Sequence, residues 1–456
     1  MTGQTSSRLR TGKHLLLVAG LACSLVVVLV WAAVRETATE KEIKRLLAEL
    51  RAAGEPLDAQ DLSRLFPDPS PEEDAVALFA KALVIASNNP APGSTPLVMS
   101  GTIARTEAID DATLQRLLDF CAVTAGITNA LPQAVPPAAR FPMRWNRGMT
   151  NGGAMNFLLV RHFIQFMAAH VMAAAESGDS EKAALMIEQG FAFSRTVNYS
   201  GLLVTHMIRH ACDGLMCTVA ERALNRLRFT EAQLRRMAGA LSNETADDFR
   251  NCLRAEHCLA IWAFQSVRAG MPTEVLFGGP VNPPWWKRIW NRIRRRHPDY
   301  SDADFLAYLQ AIPPRLRLST MAPREAMSEV DKLAQAYINT ATSEVGEGIL
   351  PAAMGRSMAI HVESQARMTS LAVALAVERA RLAQNDAVPA TLDALVPQYL
   401  PSVPADPFAA QPLRFKRLPR GYVIYSVGRD GVDDGGVERP TMNATTNCDV
   451  TIIIER

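Results

Sequence analysis

The sequence predicts a mainly α-helical chain that begins with a transmembrane helix and ends in a small α+β module. Three observations carry this. Twenty residues near the start, Leu15 to Val34, carry no charge. Between Met155 and Ile349 apolar residues recur almost throughout at helical spacing. After a further helix-patterned stretch, Met358 to Gln384, the pattern changes to short alternating or wholly apolar runs.

Leu15–Val34 is long enough to cross a bilayer as a helix at roughly 1.5 Å per residue. Arg8, Arg10 and Lys13 precede it, and Glu36 and Glu40 follow. The basic flank predicts a cytoplasmic N-terminus (1–14), an inner-membrane anchor (15–34) and an exported remainder. A cleaved signal peptide is the rival, and the apolar run exceeds the usual length of about 7–15 residues. Next, "TEKEIKRLLAELRAA" has helical spacing and is expected to extend the membrane helix as a stalk, ended by Gly54 and Pro56. Ser70 before Pro71, with acids behind them, predicts a new helix start. Stalk and first helices together fill 35–130. Residues 89–102 and 131–153 are rich in Pro, Gly and Asn and read as loops.

A helical domain follows over 154–350. Within "VMAAAESGDSEKAALMIEQGFAFSR", Gly178 is placed to close one helix in the left-handed conformation, and Asp179 or Ser180 to cap the next. Small residues there allow close packing of two antiparallel helices. The pair resembles one tetratricopeptide-type hairpin, with no second copy at a period of about 34 residues. In the last part, 358–456, "LRFKR" alternates as a strand with one wet face would. "GYVIYSV" is apolar on both faces, as in a central strand, and "VTIII" is a third strand.

The net charge of +2 gives no global attraction to nucleic acid. Seven Cys without a C-x-x-C argue against a zinc ribbon or a thioredoxin-like pair. His206, His210, Asp213 and Cys217 share one helix face and form a candidate transition-metal set; hydrogen-bonded core histidines are the alternative. An H-E-x-x-H hydrolase would need Glu where Met207 stands. "WWKRIWNRIRRRH" puts Trp286, Ile289, Trp290 and Ile293 on one face. Trp285, Trp286, Trp290, Arg292 and Arg295 are candidate contacts to anionic lipid, unless the Trp side chains pack on the domain while the Arg heads stay wet.

A long helix, "NDAVPATLDALVPQYLPSVPADPF", "GYVIYSVGRDGVDDGG" and "CDVTIII" follow one another in that order. Residues 358–455 thereby resemble the C-terminal module of major pseudopilins of type II secretion systems. The resemblance implies a calcium loop after the tyrosine strand, with Asp430 and Asp449 as ligands and carbonyls near Ser426. Asp433 and Asp434 are positioned to join them. Calcium takes six to eight oxygens, which carboxylates and carbonyls supply. A solvated Gly/Asp turn explains the same residues. The "GFTLIE"-type start of a pilin has no counterpart in "TGKHLLLVAG", so the chain reads as carrying a borrowed module and not as a filament subunit.

The functional expectation is a single-span envelope protein whose exported part binds or scaffolds a protein partner, linked to secretion or envelope assembly. Phosphate-loop, nucleophile-elbow and dinucleotide motifs are absent from the sequence, which disfavours catalysis. The alternative is an exported metal-dependent enzyme built on the His206/His210 face.

Overall fold

The computed structural model describes residues 37–89, 105–149, 156–197, 201–241, 246–276, 300–343, 345–346, 352–409, 411–438 and 448–456. The anchor segment 15–34 and the Trp285–Arg296 stretch lie outside these residues. Among the described residues the α-helices, in order, are α1 (Ala38–Ala52), α2 (Ala59–Leu65), α3 (Ala75–Leu78), α4 (Ala80–Asn88), α5 (Asp111–Val123), α6 (Gly126–Ala130), α7 (Phe157–Ser177), α8 (Ser180–Val197), α9 (Leu203–Arg226), α10 (Glu231–Ala240), α11 (Ala246–Arg268), α12 (Thr273–Leu276), α13 (Asp302–Arg317), α14 (Pro323–Ile338) and α15 (Ala352–Ala383). Strands β1 (Arg414–Leu418), β2 (Gly421–Ser426) and β3 (Val450–Glu455) form an antiparallel sheet in that spatial order. The mainly helical class and the small C-terminal sheet are as the sequence predicts, with "GYVIYS" as the fully buried central strand.

Two local expectations give way to tertiary contacts. Helix α1 has its own start and does not stand free as a stalk. Thr37 is extended (φ −70°, ψ 159°) and forms a capping box with Glu40, so a new helix begins there. Its apolar face, Ile43 and Leu50, packs with α13 in a core instead of standing free. Likewise no helix starts at Pro71. The Glu73 carbonyl accepts from the Arg140 N–H, and the Ala75 N–H donates to the Arg140 carbonyl. This bridge holds Asp74 extended, and Asp74, not Ser70, caps α3 through the Val76 amide at 2.8 Å.

The α7–α8 hairpin forms as its sequence implies. Gly178 adopts φ +77°, a left-handed geometry that costs glycine little. The Asp179 carboxylate then accepts from the Lys182 N–H at 2.9 Å and caps α8. Helix α7 is long and apolar enough to cross a membrane by length and composition, but 72% of its apolar window is buried inside the fold. It lies against α4, α5, α8 and α9 as a core helix.

Helix α15 connects two cores. Its first half contributes Met354, Met358, Val362 and Ala366 to a core shared with α1, α11, α13 and α14. Its second half, Met368 to Ala380, joins the core built by α7 to α10. One face of the sheet, Tyr422, Ile424, Ile452 and Ile454, belongs to that same core. The C-terminal sheet and the helical bundle therefore bury their apolar surface against each other.

Gly421 sits where β2 meets the end of β3. A Cβ there would run into the Ile454 carbonyl oxygen, a backbone atom that cannot turn aside. Gly421→Ala is expected to cost about 2 kcal/mol or more. A shift of the denaturant midpoint checks this, and a midpoint equal to wild type would show that the strand end accommodates a methyl group.

Candidate functional site

Helix α9 packs against α7, α8, α11, α15 and β3, so it is enclosed on several sides. Such a helix is expected to be apolar all round. Instead it buries His206, Arg209, His210, Asp213, Glu221, Arg222 and Asn225. Buried polar groups persist where they have partners. At the C-terminal end of α9 those partners are the open edge of β3. The Ile453 N–H donates to Glu221 Oε1 at 2.8 Å, Asn225 Nδ2 donates to the Ile453 carbonyl at 2.8 Å, and the Glu455 N–H donates to Asn225 Oδ1 at 2.7 Å. Two side chains one helical turn apart thus complete the backbone pairing of an edge strand. Burial pushes the Glu221 carboxyl up, while the Ile453 amide and the Arg105 guanidinium oppose that shift.

One helical turn separates His206 from His210 near the other end of α9. His361, from α15, meets them. The Nε2 atoms of His206 and His210 are 3.1 Å apart, and His361 Nδ1 lies 3.3 Å from His210 Nε2. The rings of His206 and His210 are nearly perpendicular, with centroids at 4.3 Å. Phe249 of α11 stacks on His361 at 4.9 Å and lies 5.2 Å from His206. The three histidines are 0%, 5% and 7% exposed, so a substrate has no direct access to them. Among the described residues, this is the one trio of His, Cys, Asp or Glu ligand atoms found within 4.8 Å of one another.

Asp213 and Cys217, the other two residues of the sequence-derived set, lie on the same helix but are engaged elsewhere. Asp213 Oδ2 is 3.6 Å from Arg209 Nε. Cys217 points at Met368 of α15, with Sγ 3.6 Å from Sδ, and burial raises its thiol pKa. That favours the neutral thiol over the thiolate a metal needs. The partner that completes the trio, His361, is 151 residues from His210. Its only sequence signal is a histidine beside Met358 and Val362 in an apolar helix pattern.

The C-terminal turn is closed by its own acids. Asp449, 3% exposed, accepts from the Gly436 N–H at 2.7 Å and from the Asp434 N–H at 3.5 Å. Burial raises its carboxyl pKa, and these two amides partly offset the shift. Asp433 accepts from Arg414 Nε at 2.8 Å, the Gly435 N–H at 3.0 Å and the Tyr425 hydroxyl at 3.1 Å. Against a burial effect of opposite sign, these donors hold its carboxyl below the usual range. Asp430 accepts from the Val432 N–H at 3.1 Å, a local Asx turn. The four aspartates therefore line one turn, and three of their carboxylates already receive backbone N–H groups.

A fifth acid, Asp406, anchors the turn. It is 1% exposed. It accepts from the Ser426 hydroxyl at 2.6 Å, the Phe408 N–H at 2.8 Å, the Val427 N–H at 3.0 Å and Arg414 at 3.3 Å. Arg414 thus joins Asp406 to Asp433. The sequence holds Asp406 within "ADPF" but gives no sign of where its side chain goes.

Elsewhere on the surface, a shallow apolar groove between α4 and α6 is lined by Ala80, Val84, Ile85, Gly126 and Ala130, with Lys81 and Asn129 beside them. Six cysteines, Cys121, Cys212, Cys217, Cys252, Cys258 and Cys448, are free, and all but Cys448 are buried. Comparison of the chain with protein-family models, with curated proteins and with solved structures finds no match.

Proposed function

We propose that the chain is a single-span envelope protein whose exported part binds or scaffolds a protein partner. The mutual burial of the C-terminal sheet and the helical bundle carries this reading. Glu221 and Asn225 of α9 tie the β3 backbone to the bundle, so a partner held by either part is held by both. Close contact between α7 and α8 across the Gly178 turn supports the likeness to a tetratricopeptide-type hairpin. The order of helix, loop and three strands fits a pseudopilin-like module, which favours a place in secretion or envelope assembly. In that reading a calcium ion at the turn would use Asp430 and Asp434 beside the buried Asp449. Burial of the histidine trio weighs against the metal-dependent enzyme, since chemistry needs access to substrate.

The test joins topology to binding. A reporter active only outside the cytoplasm, fused after Arg456, is expected to be active, and the full chain is expected to resist carbonate extraction. Affinity capture from membranes is expected to recover a stoichiometric protein with wild type but not with Gly421→Ala. Activity from a cytoplasmic reporter alone would overturn the topology. Equal capture by the disrupted variant would remove the folded sheet from the binding role.

A further inference from the structure

We propose that His206, His210 and His361 bind one divalent transition-metal ion, of the zinc type, that pins α9 to the N-terminal half of α15. The two helices pack on each other, and both contact the C-terminal sheet.

Two features of the trio point to an ion. The first is spacing. Nitrogens bound at about 2.0–2.1 Å around a tetrahedral ion lie about 3.3 Å from one another. Two of the three separations are 3.1 and 3.3 Å, and all three ligand atoms lie within 4.8 Å of one another. The second is valence. An imidazole nitrogen has one in-plane site, either a lone pair or an N–H. His210 Nε2 meets both His206 Nε2 and His361 Nδ1 at hydrogen-bonding distance, so it faces two partners with one site. A shared ion resolves this, because each nitrogen gives its own lone pair to the centre.

The ligand chemistry sets the class of ion. Three neutral imidazoles suit zinc, copper, nickel and iron, and they do not suit calcium or magnesium, which take oxygen. The Phe249 ring stacks on His361 at 4.9 Å. Three protein ligands leave a fourth position for a solvent oxygen. Since the ligands come from helices distant in sequence, the ion would bind the folded chain and not the unfolded one, and so stabilise it.

The experiment uses the untagged full-length chain, stripped with a chelator and then titrated with Co²⁺. One equivalent is expected to give visible ligand-field absorption that Zn²⁺ abolishes by displacement, and Zn²⁺ is expected to raise the melting temperature. His361→Ala and His206→Ala should each weaken Co²⁺ binding by about 100-fold or more, since loss of even an outer-shell partner costs 10–100-fold. Asp213→Asn and Cys217→Ser should leave the spectrum unchanged. The wild-type titration stands even if a histidine variant fails to fold. Wild-type protein without a stoichiometric visible band would overturn the proposal. So would full binding by folded His361→Ala, or loss of binding in the Asp213 or Cys217 variant with retention in His361→Ala.

Discussion

Asp406→Ala is expected to destabilise the fold by about 3–5 kcal/mol. The carboxylate is buried and receives two backbone amides, one hydroxyl and one guanidinium. Alanine would leave the Phe408 and Val427 N–H groups without their acceptor in a water-poor site, at a cost of about 1–3 kcal/mol for each orphaned group. It would also release Arg414 from one of its two acids. Asp406→Asn keeps one acceptor oxygen but sets an NH₂ group among donors, so an intermediate loss is expected. Ser426→Ala removes a single hydroxyl donor and should cost least, about 1–2 kcal/mol. Denaturant unfolding ranks the three variants. Hydrogen exchange gives an independent readout: the Val427 and Phe408 amides should lose protection in Asp406→Ala ahead of the helical bundle. Protection equal to wild type at both amides would show that Asp406 does not hold this turn.

Acidification from pH 7 to pH 5 is expected to cost roughly 2 kcal/mol at each of two buried histidines. His170 bonds the Thr124 hydroxyl through Nε2 at 3.0 Å, and His257 bonds the Tyr308 hydroxyl through Nδ1 at 2.9 Å. Burial, reinforced by the charge of Lys182, lowers His170 from the ordinary 6.5 to about 4. Burial, reinforced by Arg315, lowers His257 to about 3. Between those values and 6.5 the unfolded chain binds more protons than the folded one. The stabilisation from keeping these rings neutral is therefore full above 6.5 and lost as pH falls through that interval. Glu221 and Glu256 act in the opposite sense. Burial raises both carboxyls, so their contribution improves as pH falls toward the ordinary carboxylate range. Comparison with a variant removes this background. His170→Gln combined with His257→Asn retains a polar atom near each bonding nitrogen and abolishes titration. The stability difference between pH 7 and pH 5 should be smaller in this double variant by roughly 4 kcal/mol. An identical pH slope in the two proteins would mean that both rings protonate without penalty in the fold.

The parts of the fold that follow from local spacing were legible. Gly178 and Asp179 predicted a helix end and a helix start, because a left-handed glycine and a capping carboxylate act within four residues. The alternation of "LRFKR" and the unbroken apolar run of "GYVIYSV" predicted a strand with one wet face and a central strand, since burial on one or on both faces is written directly into the local pattern. Ser70-Pro71 had the right residue types for a helix start and was displaced by backbone pairing to Arg140, a contact the local sequence does not encode. Of the candidate metal-ligand set, His206 and His210 were legible from their four-residue step. Asp213 and Cys217 share that step pattern, yet their side chains turn to Arg209 and Met368.

By itself the sequence determined the helical class, the hairpin at Gly178, the three C-terminal strands and the pair of histidines on one face of α9. Each depends on residues within about one or two turns of one another, where backbone geometry fixes which side chains share a face. Only the tertiary structure decided that His361 completes the trio, that Asp406 gathers the amides of the C-terminal turn, and that Glu221 and Asn225 close the edge of β3. Those contacts span 151, 20 and 232 residues for the pairs His210–His361, Asp406–Ser426 and Glu221–Ile453. They exist because two cores share one long helix, α15, and packing rather than periodicity chooses which distant side chains meet inside them.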